Sequence, residues 1–243
     1  MGDSLAPEAA EPLLRGRLGR PYLYRERCEA TRSLLAVDMP EGAVGVCEER
    51  RGGERPWPPR GAAILCSVLL RPPAERSRVQ LSLVAAIAAA DAIEQALRLA
   101  VQIKWPNEVM VNRFKVGRTA VDERAGATLV DIEINVNQTR AELSLDDRPS
   151  AASLLTIDGK RRDRAPLLAD LLAALERAYE RWLDGGLAGL YVWLGPRDFL
   201  RGRRVAVDGT SGVAIGVDRS GRLELDVAGE RRFLERGEVV YEQ

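Results

Sequence analysis

The stretch "VQIKWPNEVMVNRFKVGRTAVDE", Val101 to Glu123, decides how this chain folds. Pro106 has a fixed φ and no N–H to donate, so neither a helix nor a central strand runs through it, and the chain must bend there. On either side, Val101-Gln102-Ile103 and Val109-Met110-Val111 are β-branched or apolar and predict short strands. A tight turn near Arg113 then leads into a third strand that begins Phe114-Lys115-Val116. The reading is strand, bend, strand, turn, strand, with Lys104, Asn107 and Glu108 gathered at the bend.

Working outward, Gln80 to Ala100 is alanine-rich with leucine and isoleucine at helical spacing and predicts a long helix. Before it, "AVGVCEE" and "AAILCSVLLRP" read as strands, the second too uniformly apolar for a sheet with one wet face, separated by the Gly/Pro-rich "RRGGERPWPPRG". "YLYRERCEATRSLLAVDMPEG" reads as a strand and a short helix, and the leader "MGDSLAPEAAEPLLRGRLGR" as a frayed terminus. After the opening stretch come a turn at Arg124-Ala125-Gly126, the strand "ATLVDIEINVNQ" and the amphipathic helix "APLLADLLAALERAYERWLDGG", stopped by Gly185-Gly186. From Gly195-Pro196 onward, short alternating segments separated by Asp-Gly and Ser-Gly turns predict a small barrel of about five strands. The expected fold is α+β, a mixed sheet with packed helices over residues 1–195, followed by an SH3-like β-barrel over residues 196–243.

Composition narrows the function. Lys plus Arg and Asp plus Glu both total 36 in 243 residues, so no excess positive charge points to a phosphate backbone as the main partner. There is no histidine, which removes histidine bases, triads and metal ligands. Cys28, Cys47 and Cys66 are odd in number and widely spaced, so they predict buried thiols in a reducing cytoplasm rather than a disulfide or zinc site. No segment is expected to span a membrane, because the apolar run after Gln80 is broken by Asp91, Glu94 and Gln95. Lys104, Lys115 and Lys160 are the only lysines beside many arginines, so two of them in one short stretch are notable.

Three places could carry chemistry. The loop Arg50 to Arg60 offers guanidinium groups, backbone N–H groups and Trp57 as a stacking surface; its plainer reading is a solvated basic loop. Lys104-Trp105-Pro106-Asn107-Glu108 could hold a phosphate by its ammonium, with the carboxylate aiding a magnesium ion; the alternative is strand capping around a packed tryptophan. Lys115, close to Gly117, could stabilise charge on a carboxylate or acyl phosphate, or be an exposed turn lysine.

The ordered series of Gly-rich basic loop, apolar strand, long helix, "KWPNE", lysine hairpin, "IEINVNQ" and terminal barrel resembles the biotin protein ligase family over nearly the whole chain. The resemblance implies joining biotin and ATP into biotinyl-5'-AMP and transferring the biotinyl group to a lysine of a biotin carboxyl carrier domain. ATP, biotin and Mg2+ then take part as substrates or nucleotide-bound ion, with no permanently bound cofactor and no protein metal site. By resemblance, Lys115 matches the essential lysine at the biotin carboxyl group, and Thr31 the surviving member of the triplet lining the biotin pocket. Arg55, Trp57, Lys104 and Asn107 match the ATP and adenylate contacts. The start of the chain leaves no room for a DNA-binding winged helix, so no DNA role is expected; a homodimer through sheet edges has precedent in the family.

Departures from the pattern fall on ligand-facing positions. "EERRGGERPW" is shorter than the family's nucleotide loop, Arg32 ends the pocket triplet, Arg118 follows the critical lysine, and Asp131 and Glu133 stand where the family has glycines. The two carboxylates should repel anionic ligands unless Arg50, Arg51 or Arg118 pairs with them. Alternatives therefore stay beside the working ligase: a weakened or inactive homologue that keeps the scaffold for binding, or a lipoate-type acyl ligase.

Overall fold

The computed structural model describes residues 3–50, 59–144 and 151–241. Strands β1 (Tyr22–Cys28), β2 (Val44–Arg50), β3 (Ala63–Leu70), β4 (Val101–Lys104), β5 (Glu108–Val111), β6 (Phe114–Arg124) and β7 (Ala127–Asn135) form one mixed sheet in the order β1-β2-β3-β7-β6-β5-β4. β1 and β2 are parallel and every other neighbouring pair is antiparallel. Pro106 sits in the bend between β4 and β5, as its ring requires. Ala125 and Gly126, at φ 43° and 82°, make the two-residue turn that joins β6 to β7.

Helices α1 (Pro7–Ala10), α2 (Leu81–Leu97), α3 (Arg140–Ser144), α4 (Leu154–Asp158), α5 (Arg164–Gly185) and α6 (Tyr191–Leu194) complete the main body. α2 and α5 pack together over one face of the sheet. Strand alternation sends Ile64, Cys66 and Val68 of β3 and Val130, Ile132 and Ile134 of β7 into that core. α2 is apolar nearly all round, and Arg78–Leu97 is long and apolar enough to cross a bilayer by length and composition alone. Its side chains are spent on the core instead, from Leu81 to Ile93.

The tail forms β8 (Arg204–Val207), β9 (Thr210–Val217), β10 (Leu223–Val227), β11 (Glu230–Leu234) and β12 (Val239–Tyr241). They make a second antiparallel sheet in the order β11-β10-β9-β8-β12, consistent with an SH3-like module. Its inward residues Val205, Val207, Leu223 and Leu225 join the same hydrophobic cluster as the main body.

Two expectations are corrected. The N-terminal segment is tied down from Asp3 onward: Leu5 and Ala10 are fully buried, and Asp3 pairs with the buried Arg164 at 2.8 Å. Arg164 also pairs with Glu48 at 2.7 Å, so the leader completes a buried ionic group that sequence patterning could not reveal. Cys28 and Cys47, 19 residues apart in sequence, form a disulfide between β1 and β2, with Cα atoms 6.2 Å apart. Cys66 remains a free, buried thiol, as expected.

Candidate active site

The face of the sheet away from α2 and α5 carries a charged cross-strand row. Lys104 pairs with Glu108, Glu108 with Arg118, and Arg118 with Glu133, so β4, β5, β6 and β7 alternate cation and anion. Directly opposed charges of unlike sign stabilise neighbouring strands, and here they also collect the candidate residues on one surface. The 3-10 turn Thr31–Leu34 lies over this face. Gly45 permits that approach, because a Cβ there would sit 2.6 Å from the Thr31 carbonyl oxygen.

At one end of the row, Glu108 accepts hydrogen bonds from two lysines. Lys115 Nζ donates to Oε1 at 2.5 Å and Lys104 Nζ to Oε2 at 2.9 Å. Burial pushes the Glu108 carboxyl up, but Lys115 and then Lys104 outweigh it and hold the group below the ordinary carboxylate value. Two ammonium groups thus converge on a single carboxylate. The Lys115 backbone is fixed as well, since its carbonyl accepts from Ala152 N–H at 2.9 Å.

Further along, Arg118 grips Glu133 through two donors, at 2.7 and 3.0 Å, and Arg50 adds a third contact at 3.1 Å. One strand position away on the same face, Asp131 accepts from Ser67 Oγ at 2.5 Å and from Arg32 at 3.1 Å, while Ser67 and Thr31 share a hydroxyl hydrogen bond of 2.6 Å. Burial pushes the Asp131 carboxyl up despite Ser67 and Arg32, and the nearby Glu133 adds to the rise. The added carboxylates are therefore neutralised within the protein, by Arg50 and Arg118 as anticipated and by Arg32, which was not. Arg51 lies outside the described residues.

The fold thus gathers Thr31, Lys104, Asn107 and Lys115 on or beside one surface. Lys115 is a largely buried hairpin lysine with 15% of its side chain exposed, not an exposed turn residue. Asn107 donates its amide to the Thr119 carbonyl at 2.7 Å and accepts from Thr119 N–H through its own backbone, so it pins the bend to β6. Arg55 and Trp57 lie outside the described residues. Gly117 serves packing: a Cβ there would meet the Glu133 carbonyl oxygen at 2.7 Å. Ser67, inside an otherwise apolar strand, was missed; a lone hydroxyl in "AAILCSVLL" was its only signal. Among the described residues, no group of three His, Cys, Asp or Glu could hold a metal ion.

The family model described as "Biotin/lipoate A/B protein ligase family" matches residues 26–138. The chain is 30% identical over 230 residues to the bifunctional ligase/repressor BirA of Bacillus spizizenii, covering 86% of this chain and 70% of that protein. It is 31% identical over 208 residues to the biotin--[acetyl-CoA-carboxylase] ligase of Paracoccus denitrificans, covering 79% of this chain and 85% of the relative. Among solved structures, the biotin protein ligase from Aquifex aeolicus in complex with biotin and ATP superposes with a TM-score of 0.80, at 22% identity, over 91% of this chain and 98% of that one.

Proposed function

The chain belongs to the biotin protein ligase family, and from that premise we propose that it activates biotin with ATP and transfers the biotinyl group to a lysine of a biotin carboxyl carrier domain. In the first step a biotin carboxylate oxygen attacks the α-phosphorus of ATP and the bond to pyrophosphate breaks. In the second, the carrier amine attacks the acyl carbon, the bond to AMP breaks and the amine loses a proton. The protein's task is to bring two anions together and keep water from the mixed anhydride.

The observation that carries this reading is the convergence of Lys104 and Lys115 on Glu108. The same ammonium pair can receive the carboxylate and phosphate oxygens, Lys115 on the acyl side and Lys104 with Asn107 on the nucleotide side. Thr31, backed by Ser67, lies on the acyl side, and Arg55 and Trp57 are assigned to the adenylate by sequence resemblance alone. Mg2+ would arrive with ATP; an ion that keeps most of its waters needs few protein ligands, and Glu108 is the carboxylate beside the lysines. We place the reaction in the cytoplasm, where ATP is available, and assign it to residues 1–195, with residues 196–243 as an accessory module.

A second reading, a weakened homologue, has one observation in its favour. Arg118, Glu133 and Arg50 tie up the acyl side among themselves, where a ligand would have to enter. Biotin-dependent exchange of labelled pyrophosphate into ATP separates the two. The ligase exchanges label and Lys115→Ala does not, whereas a scaffold-only protein shows no exchange with either chain.

A further inference from the structure

Three consecutive residues of the bend, Ile103, Lys104 and Trp105, are each held by the chain beyond residue 195. The Ile103 carbonyl accepts from Phe199 N–H at 3.0 Å, and Trp105 Nε1 donates to the Gly221 carbonyl at 2.9 Å. Between them, Lys104 Nζ lies 5.3 Å from the centre of the Tyr241 ring, within the range at which an aromatic face attracts an ammonium. The contact belongs to the last described strand, β12, whose Tyr241 is paired with Val205 of β8.

We propose that Tyr241 is a positioning residue for Lys104, so that the C-terminal sheet sets nucleotide affinity from outside the main sheet; this rests on the reading that Lys104 meets the nucleotide. Lys104 carries a flexible four-carbon stem, and an ammonium free to swing would lose rotamer entropy when it engaged a phosphate. Two contacts limit that freedom, the Glu108 carboxylate at 2.9 Å and the Tyr241 ring. The ring is itself fixed, packed edge-on against Phe199 at 5.1 Å and 81°. Arg203 lies over Phe199 at 4.4 Å and near Tyr241 at 5.9 Å, which completes an aromatic and cationic stack behind the lysine. When ATP draws Lys104 off Glu108, the ring remains as its fixed neighbour. Tyr241 thereby acts through Lys104 and not on the substrate.

Steady-state pyrophosphate exchange with Tyr241→Leu, Tyr241→Phe and Lys104→Ala tests this. Leucine keeps the apolar bulk but removes the aromatic face, and phenylalanine keeps both. The expected result is a rise in the KM for ATP of about three- to tenfold in Tyr241→Leu, with kcat and biotin affinity within about twofold of wild type and Tyr241→Phe unchanged. Lys104→Ala should raise the same KM further, and the double variant with Tyr241→Leu should add nothing to it. An unchanged KM for ATP in Tyr241→Leu beside a raised one in Lys104→Ala would overturn the positioning role. Equal losses toward ATP and biotin with a lowered melting temperature would overturn it too, leaving Tyr241 a packing residue. If Lys104→Ala itself leaves the KM for ATP unchanged while exchange proceeds, the nucleotide role of Lys104 fails and the inference with it.

Discussion

Lys115 Nζ and Glu108 Oε1 lie 2.5 Å apart, so the lysine assigned to the substrate carboxylate is already paired with a carboxylate of the protein, which it shares with Lys104. Substrate must displace or share that contact. The Glu108→Gln variant keeps the shape but lets both lysines face an incoming anion uncompensated. We expect tighter binding of inorganic pyrophosphate by calorimetry, together with a loss of about 1–3 kcal/mol of stability at neutral pH in urea denaturation, because two partly buried ammonium groups lose their partner.

The pH dependence follows from the same pair. Glu108 has a folded pKa held below its ordinary 4.5, so its contribution to stability is complete above that value and is lost as pH falls through the folded pKa. Urea denaturation from pH 6 down should show wild type approaching Glu108→Gln below about pH 4.5, the ordinary carboxylate range. A gap between the two that stays constant into acid would contradict the assigned pair.

Asp131 behaves in the opposite sense. Its folded pKa is raised above the ordinary 3.8, so the ionised carboxylate costs stability at neutral pH, and that cost is relieved as pH falls through the raised value. Asp131→Asn keeps a hydrogen-bonding group for Ser67, and Arg32, 40% exposed, keeps Asp122 at 3.9 Å and water as partners. The variant should equal or exceed wild type in melting temperature at pH 7, with the difference shrinking in acid.

Gly117→Ala tests the register between the lysine hairpin and β7. The added methyl meets backbone, the Glu133 carbonyl oxygen, which cannot swing aside as a side chain would. A cost of about 1–3 kcal/mol in urea denaturation is expected. Pyrophosphate exchange should fall as well, because Lys115 is only two residues away on the same strand.

Much of this architecture was legible in the chain. Pro106 forced the bend, the leucine and alanine spacing after Gln80 gave α2, and the turn residues of the tail gave five strands. Lys104 and Lys115 stood out because lysine is scarce and Asn107 because it follows the proline bend, and the fold brings them together. What escaped lies in contacts between residues far apart in sequence. Asp3 with Arg164, Cys28 with Cys47, Arg32 with Asp131 and Lys104 with Tyr241 are set by tertiary pairing. Local spacing and propensity carry no record of such pairs.

The Cys28–Cys47 cross-link between β1 and β2 has its own test. Closing a loop of this size constrains the unfolded chain and contributes about 3 kcal/mol. Reduction should lower the melting temperature, add two hydrogens to the intact mass and leave Cys66 inaccessible to alkylation in the folded protein.

The central claim is that this chain makes and transfers a biotinyl group through Lys115. The most direct measurement incubates the purified protein with biotin, Mg-ATP and a biotin carboxyl carrier domain and reads the carrier by intact-mass spectrometry, with Lys115→Ala alongside. One biotinyl group gained per carrier with wild type, and none with the variant, is the predicted result. An unchanged carrier mass with wild type, joined to no calorimetric binding of biotin or ATP, would contradict it.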